Sequence, residues 1–274
     1  MKTVSSLLAV AAATAMIATG CTTPTAAVAG HKVLVIVEEN HTASAVQSGM
    51  PYLVSLGTKY GHTTKDIAAA HPSLPNYLAI TGGSTFGVTD DNPPSSHPIA
   101  GTSAFGTGGR SYEQAMTSNC QLSAAGAYAV KHNPQAYYTG ERTNCAVNDK
   151  PLATLSGDLS KGLAAVSLLT PDLNNDAHDG TLTQADTFLK TWIPKIMAGA
   201  DYRASRLTIV ITFDEGVGSQ QTVYTAVINP ALHGKTVTTG LTHYSLARWL
   251  YRTAGETPRH NAASALDMGT QFGL

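Results

Sequence analysis

From Lys32 to Val37 the chain reads Lys-Val-Leu-Val-Ile-Val, and Glu38, Glu39, Asn40 and His41 follow at once. An unbroken apolar run this short, rich in β-branched residues, fits a strand buried on both faces. Such a strand needs parallel neighbours and helices covering the sheet on both sides. Acids and a histidine at its carboxyl end stand where open α/β sheets place their sites. The pattern recurs. Leu163–Leu169 runs into Thr170-Pro171-Asp172, and Leu207–Phe213 runs into Asp214-Glu215-Gly216. Further strands are expected at Ala127–His132 and Val223–Ile228. Helices are expected at Pro51–Tyr60, from near Asn76 to Gly82, from Ser111 toward Met116, at Thr183–Ala198 and at Thr242–Tyr251. In the fourth of these, Phe188, Leu189, Trp192, Ile193 and Ile196 share one face. Strands alternating with helices predict an α/β fold, a mostly parallel central sheet with helices on both faces. The 274 residues suffice for one large domain, and neither an internal repeat nor a linker divides it.

Residues 1–29 read as an export segment, with residues 30–274 as the catalytic domain. Lys2 supplies the positive start, and Leu7–Ile17 is too short for a permanent membrane span. Two endings fit. Ala18-Thr19-Gly20-Cys21 resembles a lipoprotein cleavage site, with Ala18 where Leu is usual; Ala27-Val28-Ala29 resembles an ordinary signal-peptidase site. Both place the protein outside the cytoplasm, secreted or lipid-anchored at a bacterial cell surface. An oxidising compartment favours pairing of the two remaining cysteines, Cys120 and Cys145, over two free buried thiols. Closing that loop would contribute about 3 kcal/mol by the chain-entropy argument. Charged residues are only 13% and the net charge is −1, with no run of Lys or Arg. That leaves no electrostatic footprint for nucleic acid, and contact with a membrane only through the lipid anchor. A monomer is expected.

Three buried strands thus end in Glu39-Asn40-His41, in the Asp172–Asp179 stretch and in Asp214-Glu215. Carboxylates gathered at one sheet edge repel unless a cation neutralises them. The oxygen-rich set Glu39, Asn40, Asp214 and Glu215 suits one hard divalent cation. Taken singly, Glu39 and Asn40 read equally well as turn caps, and Asp214 as a helix cap. Ser73 sits between Pro72 and Pro75, whose rings stiffen the backbone that aims its hydroxyl. Beside a divalent cation that hydroxyl can ionise and attack. The competing reading has Ser73 capping the helix that starts near Asn76. His178 could donate a proton to a leaving oxygen or hold a phosphate oxygen. His243 opens the last helix, where N–H groups and the dipole favour an anion, and suits a phosphate contact or a second metal.

The segments Glu38–His41, His71–Ser84, Gly87–Pro94, Lys131–Tyr138, Thr170–Gly180 and Thr212–Gly216, in this order, resemble the bacterial phosphoesterase family. That family contains secreted acid phosphatases and phosphatidylinositol-3-phosphatase-type enzymes, with bacterial phospholipases C more distant, within the alkaline-phosphatase-like superfamily. The resemblance implies that Ser73 forms a phosphoserine intermediate and that Glu39, Asn40, Asp214 and Glu215 hold the metal. It implies that Asp179 orients His178, and that Asn40, His97 and His243 contact substrate. The Cys120–Cys145 bridge is in keeping with it. The leading expectation is a phosphatase acting on phosphomonoesters, small molecules or a phosphoinositide head group. A phospholipase C-type phosphodiesterase is the alternative, and a phosphate- or metal-binding surface protein without turnover the non-enzyme one.

Overall fold

The Lys32–Glu38 run forms strand β1, and the side chains of residues 33–37 are completely buried. Each such aliphatic side chain stabilises the fold by roughly 1.5–3 kcal/mol. The computed structural model describes residues 30–274, together with Met1; the export segment expected at 1–29, Cys21 included, lies outside the described residues. Within them, no helix is long and apolar enough to cross a membrane.

The other strands are β2 (Gly61–Thr63), β3 (Asp66–Ile67), β4 (Arg110–Glu113), β5 (Asp149–Pro151), β6 (Val166–Thr170), β7 (Leu207–Phe213), β8 (Thr222–Val223), β9 (Ala226–Ile228), β10 (Lys235–Val237) and β11 (Leu241–Thr242). Eight form one sheet in the order β10-β2-β9-β7-β1-β6-β4-β5, in which only β9 runs against its neighbours. A small sheet, β11-β3-β8, stands beside it. The α-helices are α1 (Ala43–Gly49), α2 (Pro51–Lys59), α3 (Ser73–Gly82), α4 (Arg142–Asn148), α5 (Leu155–Lys161), α6 (Leu182–Met197), α7 (Ala200–Arg203), α8 (His243–Thr253) and α9 (Met268–Phe272). They pack in groups: α1 and α2 with α6, and α3 and α9 with α8. The mostly parallel α/β architecture is the one expected.

Three local expectations fail. Residues from Ser111 form β4 rather than a helix, because Ser111 and Tyr112 pair with Leu168 and Leu169 of β6 and with Asp149 and Lys150 of β5. Residues 130–132 form a 3₁₀ turn rather than a strand. The Val223–Ile228 run is broken after Val223, so that β8 and β9 belong to different sheets. Between α3 and β4, residues 87–109 carry no helix or strand and form a long cover loop.

The Cys120–Cys145 disulfide forms, with a Cα–Cα distance of 5.1 Å. Beneath it lie two buried carboxyls, Glu113 and Asp149. Asn133 Nδ2 donates to Asp149 Oδ2 at 2.8 Å, yet burial still lifts Asp149 to about 7. Burial, and then the Asp149 charge, lift Glu113 well above the usual range. Both folded values lie above the unfolded ones. The stability these groups contribute is therefore full below about pH 4 and is lost as pH rises through about 7. Asp149→Asn should flatten the melting temperature against pH between 5 and 8. It should also raise the melting temperature at pH 8 by roughly 2–8 °C. A variant melting with the wild-type slope would show that the pair does not set it.

Candidate active site

Because Glu38 and Phe213 are register partners, β1 and β7 deliver Glu39-Asn40 and Asp214-Glu215 side by side. Asn40 takes a left-handed conformation, φ 46°, which asparagine tolerates better than most residues. Its backbone N–H donates to Asp214 Oδ1 at 3.0 Å. Glu39 and Asp214 are both fully buried.

Pro72 caps α3, and Ser73 is its first residue. The helix starts three residues before the expected point, so the serine does not act as a side-chain cap for a start at Asn76. Its Oγ instead donates to Glu39 Oε2 at 3.0 Å, and the Asp214 carboxylate faces the same hydroxyl. Asn76 clamps the preceding turn: its Nδ2 donates to the carbonyls of Ala70 and Pro72, and its Oδ1 accepts the Ala70 N–H. The Leu74 N–H donates to Asp91 Oδ1 at 2.9 Å, tying the cover loop to the helix start. Tyr77, one turn on, donates to Glu39 Oε1 at 2.6 Å. Ser73 thus sits at a helix N-terminus, where exposed N–H groups and the dipole stabilise a developing anion.

From the end of β6, Asp176 and His178 join this cluster. Ala177 between them is left-handed, φ 75°. The His178 N–H donates to Asp176 Oδ1 at 2.8 Å. His132 is buried and stacked on Tyr77, its two nitrogens 3.2 Å from Glu39 Oε1 and Asp176 Oδ2. Burial, then the Lys131 charge, push the His132 pKa well below its ordinary value. His178 Nδ1 meets Asp179 Oδ1 at 2.7 Å, and its Nε2 meets Lys131 Nζ at 3.2 Å. A carboxylate only accepts and an ammonium only donates, so Nδ1 carries the proton and Nε2 offers the lone pair. Lys131 also donates to Asp91 Oδ2 at 2.9 Å. Burial opposes its charge, but Asp91, Glu39 and Asp214 outweigh that and raise its pKa.

The remaining candidates stand further out. Glu215 meets His71 Nδ1 at the exposed side. His243, the first residue of α8, donates through Nε2 to the Asp214 carbonyl at 2.5 Å, while its buried Nδ1 has no partner among the described residues. Burial lowers its pKa to about 4. His97 Nε2 meets Asp90 Oδ1 at 2.5 Å in the cover loop, next to the Asp91 that reaches the cluster.

Burial pushes Glu39 well above the usual carboxylate range, and the charges of Asp214 and Asp176 add to it. It lifts Asp214 and Asp176 to about 7 each. Among the described residues, Asn40 Oδ1 and Asp214 Oδ2 find no hydrogen-bond partner. With the Glu39 carboxylate and the Ser73 hydroxyl they form an oxygen-only donor set, and a hard divalent cation relieves both the orphaned oxygens and the repulsion. The residues present fit such an ion. Glu39, His132 and His178 also offer atoms within 4.8 Å of one another. There, however, both His178 nitrogens are already engaged.

His132, Lys131, Asp176, Asn76 and Tyr77 were not singled out from the sequence. For Lys131 and His132 the signal lies in the Lys131–Tyr138 resemblance, and for Asp176 also in the acidic stretch that follows β6, not in any periodic pattern.

The profile of the Phosphoesterase family matches residues 47–248. The chain is 28% identical over 237 residues to a phosphatidylinositol-3-phosphatase of Mycobacterium tuberculosis, covering 81% of this chain and 76% of that one. It is 29% identical to an acid phosphatase of Aspergillus fumigatus over 74% of this chain, but spans only 49% of that protein's length. In fold it is similar to a protein of the alkaline phosphatase superfamily from Vibrio parahaemolyticus, with a TM-score of 0.61 at 12% identity, covering 87% of this chain and 69% of the other. With the profile spanning most of the chain, and with acid, amide and serine brought together at the sheet edge, this chain belongs to the Phosphoesterase family.

Proposed function

We propose that the protein hydrolyses phosphomonoesters through a covalent phosphoserine at Ser73. The observation that carries this reading is the Ser73 hydroxyl at a helix N-terminus, 3.0 Å from Glu39 within a buried carboxylate cluster. Glu39, Asn40, Asp214 and Glu215 would hold the divalent cation, which when bound supplies positive charge for the serine oxygen and the phosphoryl group.

Ser73 Oγ gives up its proton to water and attacks phosphorus; the bond to the ester oxygen breaks, and the departing alkoxide takes a proton from water. Water then attacks phosphorus, the bond to Ser73 Oγ breaks, and orthophosphate and the free serine result. Asn76 and Asp91 hold the start of α3 still while this happens. His178, oriented by Asp179, turns its Nε2 lone pair to Lys131, and His132 is stacked on Tyr77 between Glu39 and Asp176. His243 positions Asp214 through its backbone carbonyl, and His97 belongs to the cover loop that sets access. Most catalysis of such a transfer comes from positioning and charge. The disulfide supports a site of action outside the cytoplasm.

Parallel assays on p-nitrophenyl phosphate and bis-p-nitrophenyl phosphate test the substrate class. The monoester should be turned over at least about 100-fold faster in kcat/KM, since the dianion gains more than the monoanion from a bound divalent cation. The reverse order would instead favour the phospholipase C-type diesterase.

A further inference from the structure

We propose that the Lys131 ammonium is a catalytic cation that binds a non-bridging oxygen of the transferring phosphoryl group. The inference rests on the hydrolase reading above and adds a residue to it. Its basis is charge and geometry together. A phosphomonoester brings two negative charges into a pocket that already holds Glu39, Asp176 and Asp214 buried, with Glu215 at its edge. One divalent cation leaves that assembly strongly anionic. Glu39, His132 and His178 converge as though for a second cation, their ligand atoms within 4.8 Å of one another. A positive charge is already there. Lys131 Nζ lies 3.2 Å from His178 Nε2, and its charge reaches Glu39 and Asp214.

The ammonium is also placed relative to the nucleophile. Asp91 accepts from Lys131 Nζ through one oxygen and from the Leu74 N–H through the other, which links the ammonium to the first turn of the helix carrying Ser73. An ammonium has three donors. Asp91 takes one and the His178 lone pair takes another, leaving the third for a phosphoryl oxygen. Asp179, on the far nitrogen of His178, keeps that lone pair turned toward Lys131.

Vanadate, which mimics the transferring phosphoryl group, reads this contact without turnover. Its affinity would be measured by calorimetry on the full protein in saturating Mg2+ or Zn2+, alongside kinetics on the two nitrophenyl esters. Lys131→Met should weaken vanadate at least about tenfold and lower kcat/KM on the monoester about 100-fold, with a much smaller loss on the monoanionic diester. Lys131→Gln, a second neutral variant, should behave alike, and Lys131→Arg should recover part of the vanadate affinity. Losses equal on both esters, with vanadate affinity as in the wild type, would overturn the proposal and leave Lys131 as a tether for Asp91. If the wild type turned over neither ester, the hydrolase reading would fall, and vanadate affinity would still decide whether Lys131 binds the oxyanion.

Discussion

Ser73→Ala is expected to lower kcat on p-nitrophenyl phosphate at least about 10³-fold, to leave the melting temperature within a few degrees of the wild type, and to leave cation binding largely intact. The asymmetry follows from where the hydroxyl sits. Ser73 is the first residue of α3, a position whose helical bonding does not need the side chain, and Asn76 and Asp91 hold the turn around it through other atoms. Removing Oγ deletes the one bond to Glu39 Oε2, while Tyr77 keeps the other carboxylate oxygen in place. Alanine adds no volume there. The chemistry, by contrast, loses the group that attacks phosphorus. Acid quench of the wild type during turnover should trap phosphate on the peptide containing Ser73. If the alanine variant kept its rate within about tenfold and the quenched wild type carried no label, the nucleophile would have to be sought elsewhere.

What the sequence disclosed and what it hid divide along physical lines. Strands β1 and β7 were legible because burial on both faces writes an unbroken apolar run, and α6 because one buried face repeats at helical spacing. Strand β4 was hidden. Its four residues, Arg-Ser-Tyr-Glu, carry no such run, and they are extended only because β6 and β5 pair with them from distant parts of the chain. The acids of the strand ends and Ser73, which meet at the sheet edge, were readable because the ends of central strands and a proline-flanked serine are local signals. The convergence of Lys131, His132 and Asp176 is not local. The first two come from a 3₁₀ turn, and Asp176 is one acid in a stretch crowded with Asp and Asn. Only the fold distinguishes the aspartate that faces Glu39 from Asp172, which bonds to its own turn.

Asp214→Asn should lower divalent-cation affinity about 100-fold and kcat/KM at least as much, while the cation-free variant melts no lower than the cation-free wild type near pH 8. The two halves have one cause. Asp214 is fully buried, its Oδ1 holds the Asn40 N–H, and its Oδ2 has no partner among the described residues. Burial lifts its pKa to about 7. The folded value lies above the unfolded one, so without a cation the contribution of Asp214 to stability falls as pH rises through about 7. Asparagine keeps the acceptor for Asn40 and removes the charge, so the cation-free fold is relieved rather than weakened. With a cation the order reverses. An ion at about 100 times its dissociation constant stabilises the wild type by about 2.7 kcal/mol, or roughly 5–10 °C in melting temperature. The variant should gain little at the same concentration. Exhaustive chelation of the wild type should abolish turnover and return its melting temperature to the cation-free value. A chelated enzyme that still turned over at full rate, with an unmoved melting curve, would show that these buried carboxylates serve some purpose other than holding a cation.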